Sequence, residues 1–283
     1  MSDLVAYYNK FNEDKRLLSR HGQVEFRVTM HHIHELIKSL ATTGQPEHKN
    51  DTDVRCASCG ITIADIGAGT GRYSIALAKE GYSVVAAEPV KYNLGILKKH
   101  IREELPADTD IRAYQSDARK LKYFGNEEFD LTLMLGPMYH LHSTEDKLKA
   151  LNEARRITKK GGFILAGYVM SDYAVVKYGF MEGNIRDSLA KKALTDDYGI
   201  ISDEKELYDY ARLCDINDLN EKSGLKRKYI FAPDGPADYI RNVLNEMDEE
   251  TFELFIDYQI KNSRRPDILG ASSHTVDVLH IEK

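Results

Sequence analysis

Between Ile61 and Ser74 the chain reads Ile-Thr-Ile-Ala-Asp-Ile-Gly-Ala-Gly-Thr-Gly-Arg-Tyr-Ser. An apolar, β-branched run ends at Asp65, glycines alternate at 67, 69 and 71 with Ala68 between the first two, and apolar residues resume after Arg72. This pattern predicts a strand turning sharply into a helix. Glycines at such a turn let a ligand approach the main chain and the positive helix end with no Cβ in the way, which makes the loop a nucleotide cradle. A second acid follows at Glu88, 17 residues after Gly71 and directly before Pro89. In nucleotide folds an acid at about this interval ends the second strand and accepts hydrogen bonds from ribose hydroxyls. A dinucleotide fingerprint is excluded by register, because Gly-x-Gly-x-x-Gly requires glycine where the chain has Arg72 or Ser74.

The elements that must position these groups follow in alternation. Residues 82–87 read as a second strand, and Leu94, Leu97, Ile101 and Leu105 mark a helix. Residues 111–115 form a short third strand entering Ser116-Asp117-Ala118, where Asp117 is a candidate helix N-cap. Residues 129–135 read as a central fourth strand running into Leu135-Gly136-Pro137-Met138-Tyr139-His140-Leu141. Ser143 caps a helix expected to end at Gly161-Gly162, and residues 163–169 give a fifth strand. The alternation then breaks. Residues 171–212 are expected to be an inserted cap without a core strand, helical over 184–194 and 204–212. A helix over 215–223, a strand over 226–231, helix over 236–258 and a last strand over 275–281 complete the chain.

Asp65-x-Gly67-x-Gly69-x-Gly71, Glu88-Pro89, Ser116-Asp117-Ala118 and Leu135-Gly-Pro-Met-Tyr-His-Leu141, in this order and spacing, resemble class I S-adenosylmethionine (SAM) dependent methyltransferases of the small-molecule, UbiE-like type. The resemblance covers about residues 60 to 170, is looser over 1 to 50, and extends to the segment from Arg265 to His274, which is similar to bacterial members without naming a substrate. It implies an α/β fold: a seven-stranded, mostly parallel Rossmann-like sheet with helices on both faces, a helical N-terminal leader and an inserted helical cap. The last two strands would pair antiparallel, the final one beside the fifth. It also implies SAM as cofactor, S-adenosylhomocysteine as product and a small-molecule methyl acceptor. Asp65 would suit the ammonium or sulfonium charge, Glu88 and Pro89 the ribose, Asp117 and Ala118 the adenine edge, and Leu135 and Gly136 the methyl-transfer edge. Leu135-Gly136-Pro137-Met138 lacks the Asn/Asp/Ser-Pro-Pro-aromatic pattern of enzymes that methylate exocyclic amines of bases or glutamine amides. His140, as a base, and Tyr139, as an orienting group, are the catalytic candidates, with a structural role at the helix entry the competing reading of His140. The implied organisation is a leader over 1–50, a SAM-binding core over 51–170, a cap over 171–212 and a C-terminal completion over 213–283. Within the leader, Tyr8 and Arg20 are candidates for closing the cofactor mouth.

At 283 residues the chain is long enough for such a core with a cap, and its net charge of -6 argues against a dedicated nucleic-acid binder. It has no long apolar run and no signal-peptide pattern at the N-terminus, so a soluble, cytoplasmic protein with no membrane partner is expected. Cys56-x-x-Cys59 has no second pair to complete a zinc site, and His31 with Glu35 lacks a third ligand, so no metal is expected. Along 24–40, Phe26, Met30, Ile33, Ile37 and Leu40 recur at helical spacing. The competing readings are an RNA methyltransferase using Lys226-Arg227-Lys228 and Arg264-Arg265, a nicotinamide oxidoreductase, and a non-catalytic SAM-binding protein.

Overall fold

The computed structural model describes residues 19–43 and 60–282. The expected Tyr8 contact and the Cys56/Cys59 pair lie outside the described residues. Helix α1 (Arg20–Thr43) precedes β1 (Thr62–Ile66), α2 (Arg72–Lys79), β2 (Ser83–Ala87), α3 (Lys91–Glu104), β3 (Ile111–Tyr114) and β4 (Phe129–Met134). A 3-10 turn (Pro137–His140), α4 (Thr144–Ile157) and β5 (Thr158–Met170) follow. Then come α5 (Ser171–Ala174), a π-helical turn (Val175–Met181), α6 (Ile185–Ala190), β6 (Tyr210–Ala211) and α7 (Leu213–Ser223). The chain ends through β7 (Lys226–Phe231), α8 (Arg241–Glu246), α9 (Glu249–Asn262), α10 (Pro266–Leu269) and β8 (His274–His280).

The strands lie in the order β3-β2-β1-β4-β5-β8-β7, with β6 added beside β5. Strands β1 to β5 run parallel, and β8 is antiparallel to both β5 and β7. The expected class I sheet is therefore present as a seven-stranded path, and the two-residue β6 is an addition that the sequence reading left out. Alternation along the strands sends side chains into two cores. On one face Ile63, Val84, Leu131 and Leu165 meet α1, α2, α3, α8 and α9. On the other, Ala64, Val85, Ile164 and Ala166 meet α4 and α7.

Several boundaries differ from expectation. Helix α4 stops at Ile157, not at the glycine pair, because Thr158 already enters β5, its hydroxyl donating back to the Ala154 carbonyl at 2.7 Å. Gly162 instead lets β5 approach β4, since a Cβ there would lie 2.7 Å from the Asp130 carbonyl. The stretch expected as continuous helix over 236–258 breaks at Met247-Asp248, where Asp248 caps α9 by accepting from the Thr251 amide at 2.8 Å. Residues 204–209 are irregular rather than helical, and helix over 184–194 shrinks to α6. No described helix is long and apolar enough to cross a membrane.

The basic clusters are engaged within the fold. Arg227 grips the fully buried Asp277 of β8 through two bonds of 2.7 and 2.9 Å, and Asn220 of α7 donates to the same carboxylate at 2.6 Å. Lys228 lies over the Phe163 ring and Lys226 pairs with Glu282. Arg264 stacks on Tyr229 and binds Glu35, while Arg265 pairs with Asp267. His32, beside the His31/Glu35 pair, is a core residue: its ring lies 3.9 Å from that of Phe231, and burial lowers its pKa to about 3.

Arg227→Met is expected to cost about 3 kcal/mol, because it leaves the Asp277 charge buried with one amide partner. Urea unfolding of the variant against the parent checks this, and an unchanged midpoint would show that the ion pair contributes nothing to stability.

Candidate functional site

The parallel strands β1, β2 and β4 all end at one edge of the sheet, and their loops enclose a cavity of about 680 Å³. A volume within the range of about 300–1000 Å³ is usual for small-molecule sites. Asp65, Gly67, Ala68, Gly69, Arg72, Glu88, Pro89, Asp117, Ala118, Leu135, Gly136, Tyr139 and His140 all line it. Two candidates do not. Arg20 turns away from the cavity: its guanidinium donates to the carbonyls of Met247 and Asp248 and pairs with Glu249, fastening α1 to α9. The local sequence shows a cation there but not its facing, which α9 decides. Gly71 lies beneath the loop, where a Cβ would come within 2.1 Å of the buried Leu97 side chain, so its task is to let α2 and α3 close together.

The glycine loop is held from β2. Gly67 and Ala68 donate to the Ala87 carbonyl at 2.8 and 3.0 Å. Glu88, only 4% exposed, accepts from the Gly69 amide at 2.9 Å through one oxygen and from Val90 at 2.8 Å through the other. Asn93 of α3 also bonds this carboxyl. Gly69 adopts φ +58°, and a Cβ there would meet no atom within 4 Å, so the turn presents bare backbone to the cavity. Burial pushes Glu88 up to about 7, against the pull of its hydrogen bonds. Burial likewise raises Asp65 to about 6, although the Ser74 hydroxyl donates to it at 2.6 Å.

Farther along the rim, Arg119 binds both Asp117, at 2.7 Å, and Asp146, at 2.5 Å. Burial works to raise Asp117, but the bonds from Arg119 win and hold it below the usual carboxylate range. Asp117 does not cap a helix; it accepts from the Arg119 amide within a tight turn. Asp146 is the residue whose amide bonds the capping Ser143, and its carboxylate serves Arg119 instead of closing a capping box.

The cap closes part of the mouth. Glu204, Lys205, Glu206 and Leu207 line the cavity. His140 donates from Nδ1 to the Leu207 carbonyl at 3.0 Å, the Tyr139 carbonyl accepts from the Asp209 amide at 2.8 Å, and the Lys147 ammonium binds the Asp209 carboxylate. Burial lowers His140 to about 4, so its ring is neutral at ordinary pH. Sequence reasoning missed Asn93, Arg119, Asp146 and this segment. Arg119 could have been found from its place beside Asp117, whereas the cap segment carries no local signal.

Beyond Tyr139 lies a second chamber of about 380 Å³, and both Tyr139 and Glu25 of α1 line the two spaces.

Comparison with known proteins agrees with this architecture. Residues 63–162 match the family described as "Methyltransferase domain". Over residues 63–162 the chain carries a methyltransferase domain. It is similar to a glycine/sarcosine N-methyltransferase of Parasynechococcus marenigrum, 32% identical over 105 residues, covering 37% of this chain and 36% of that protein. A ubiquinone biosynthesis O-methyltransferase of Agrobacterium fabrum is 30% identical over 110 residues, covering 39% and 41%. The match thus spans well under half the length of either relative, and it falls on the methyltransferase domain. A SAM-dependent methyltransferase structure from Thermotoga maritima superposes with a TM-score of 0.53 at 17% identity over 99% of both chains, which shows that the fold continues beyond the domain match.

The raised Glu88 gives a pH signature. A carboxyl with a higher pKa folded than unfolded binds its proton more tightly in the folded state, so its contribution is present at low pH and is lost as pH rises from about 4.5 to about 7. Unfolding free energy of the ligand-free protein is expected to fall across this window, Glu88 accounting for up to about 3 kcal/mol. Glu88→Gln should flatten the decline, leaving the part due to the other raised carboxyls, Asp65 and Asp234. Chemical denaturation between pH 4.5 and 7.5 checks it, and identical slopes for parent and variant would contradict the assignment.

Proposed function

We propose that the protein is a SAM-dependent methyltransferase acting on a small molecule. The observation that carries this reading is the buried Glu88, locked to the Gly69 amide at the floor of an open cavity. Each of its oxygens holds one backbone bond, and the acceptor capacity left beside them, which Asn93 shares, suits the hydroxyls of a vicinal diol. The bare Gly69 backbone and the neighbouring Asp65 suit the charged amino-acid end of the cofactor. Bound there, SAM would supply a methyl group on a positive sulfur, so the protein chiefly aligns the acceptor and excludes water.

The relatives act on nitrogen in one name and oxygen in the other, so they leave the acceptor of this chain open. Tyr139 is proposed as the wall between cofactor and acceptor, because it borders both chambers. His140 is proposed as a positioning residue that pins Leu207 across the mouth. A neutral imidazole with its proton directed to a carbonyl and a pKa near 4 is a weak base.

Calorimetric titration with SAM and S-adenosylhomocysteine tests the reading. Micromolar binding of both is expected. Affinity should rise with pH up to about 7 and then level, since ribose hydroxyls bond the ionised Glu88. Glu88→Ala should weaken binding by about 1–3 kcal/mol without unfolding the protein. Binding of NADH with none of SAM would reverse the conclusion.

A further inference from the structure

Strand β8 runs antiparallel to β5, so its first residue, His274, sits opposite Val169 at the edge where β1, β2 and β4 deliver the cofactor loops. Asp234, buried in the turn after β7, fixes the imidazole. One carboxylate oxygen accepts both from the His274 amide, at 2.7 Å, and from Nδ1 of its ring, at 2.8 Å. The turn itself is rigidly built. Gly235 adopts φ +53° with Gln259 packed where a Cβ would be, and its amide donates to the buried Ser272 hydroxyl at 3.0 Å. The segment from Arg265 to His274 is therefore the arm that delivers this imidazole to the sheet edge.

A ring whose Nδ1 proton goes to a carboxylate presents Nε2 as a base, the arrangement in which an acid orients a histidine for proton abstraction. His274 lines the second chamber, and its ring lies 6.0 Å from that of Tyr139, the wall shared with the cofactor cavity.

The chamber's charge points to the acceptor. Arg241 binds Asp238, which Tyr173 also bonds, and Lys177 acts on the same carboxylate, so these cations are answered by an acid of the chamber wall itself. A carboxylate oxygen of Glu25 lies within 4.8 Å of ligating atoms of both Asp234 and His274. His21 completes the titratable lining of the α1 side. Burial pushes the Asp234 carboxyl up against the pull of His274, so a cation brought beside Glu25 and Asp234 would be stabilising. Tyrosine rings, including those of Tyr139, Tyr173 and Tyr208, supply faces for such a cation.

Resting on the proposed methyltransferase reading, we infer that the second chamber takes a small protonated amine and that His274, oriented by Asp234, is the base that deprotonates it. One N–H bond of the ammonium breaks and its proton passes to Nε2 of His274. The nitrogen lone pair so released forms the new N–C bond as the methyl C–S bond breaks and its electron pair stays on sulfur. The products are the methylated ammonium, S-adenosylhomocysteine and protonated His274. Asp234 acts as a positioning residue that holds the tautomer.

The test uses the full chain with SAM and two probe sets, tyramine, histamine and sarcosine as amines and phenol and catechol as hydroxyl acceptors, read as S-adenosylhomocysteine formed. Turnover of an amine and not of the phenols is expected. His274→Gln should lower kcat at least about 100-fold while the SAM Kd stays within twofold. Asp234→Asn should lower kcat more than it raises KM and should displace the pH profile, which a merely structural role would not do. ¹⁵N spectra of histidine-labelled parent protein should show His274 protonated at Nδ1, a readout that needs neither variant. Three results would overturn the inference while leaving SAM binding intact: no amine consumed, full activity in His274→Gln, or micromolar binding of Mn²⁺ or Zn²⁺ abolished by that same variant. Failure to bind SAM would instead overturn the methyltransferase reading, and this inference with it.

Discussion

The hydrogen bonds between the Glu88 carboxyl and the amides of Gly69 and Val90 hold the site together. They join the ends of β1 and β2 through a group buried at 4% exposure, where an unpaired charge would be costly. Burial leaves that carboxyl near 7, so its charge is only partly expressed until hydrogen-bond donors arrive. The same group thus shapes the glycine loop and keeps acceptor capacity for a ligand. Around it, Gly67 packs against Pro137, a Cβ there falling 2.8 Å from the ring, so the loops after β1 and β4 share one wall. Displacing either loop would move both Glu88's partner and Tyr139.

The remaining architecture sets what surrounds this cradle. Parallel strands β1 to β5 bring the loops that line the cavity to one edge, and antiparallel β8 brings the opposite end of its own strand to the same edge. The inserted region after β5 returns through β6, and its irregular stretch over 204–209 is tied down by Tyr139, His140 and Lys147. The cavity over the glycine loop, Tyr139 and the second chamber therefore lie along one edge of the sheet. Such an order suits a reaction in which one bound molecule hands a group to another through a shaped opening.

Much of the core was legible because its signals are local. Short apolar-rich runs mark β1, β4 and β5, the alternate glycines with Glu88 lie within one strand-helix-strand unit, and Asp117 and Leu135 follow β3 and β4 directly, so Gly67, Gly69, Glu88, Asp117 and Leu135 all reach the cavity. What failed to show depends on distant partners. Residues 204–212 are rich in helix formers, but Leu207 and Asp209 are bound by the 3-10 turn and by Lys147 of α4, and Tyr210 and Ala211 pair with β5 instead. Arg20 reads as a mouth residue until α9 packs beside α1. His274 ends an unremarkable polar segment, and only insertion of β8 next to β5, with Asp234 arriving from the β7 turn, reveals its position. The Gly161-Gly162 pair looked like a helix stop because close strand approach leaves the same residue signature as a helix end.

The central claim is that the Glu88 cradle holds the nucleoside of SAM beside Tyr139, with an acceptor chamber behind it. A crystal structure of the full chain with S-adenosylhomocysteine tests this most directly. The account predicts both ribose hydroxyls on the Glu88 carboxylate, the amino-acid end against the Gly69 backbone and Asp65, and the sulfur directed at Tyr139 with the second chamber still open. Ligand density elsewhere on the protein, or a nucleoside in the cavity with Glu88 unengaged, would contradict it.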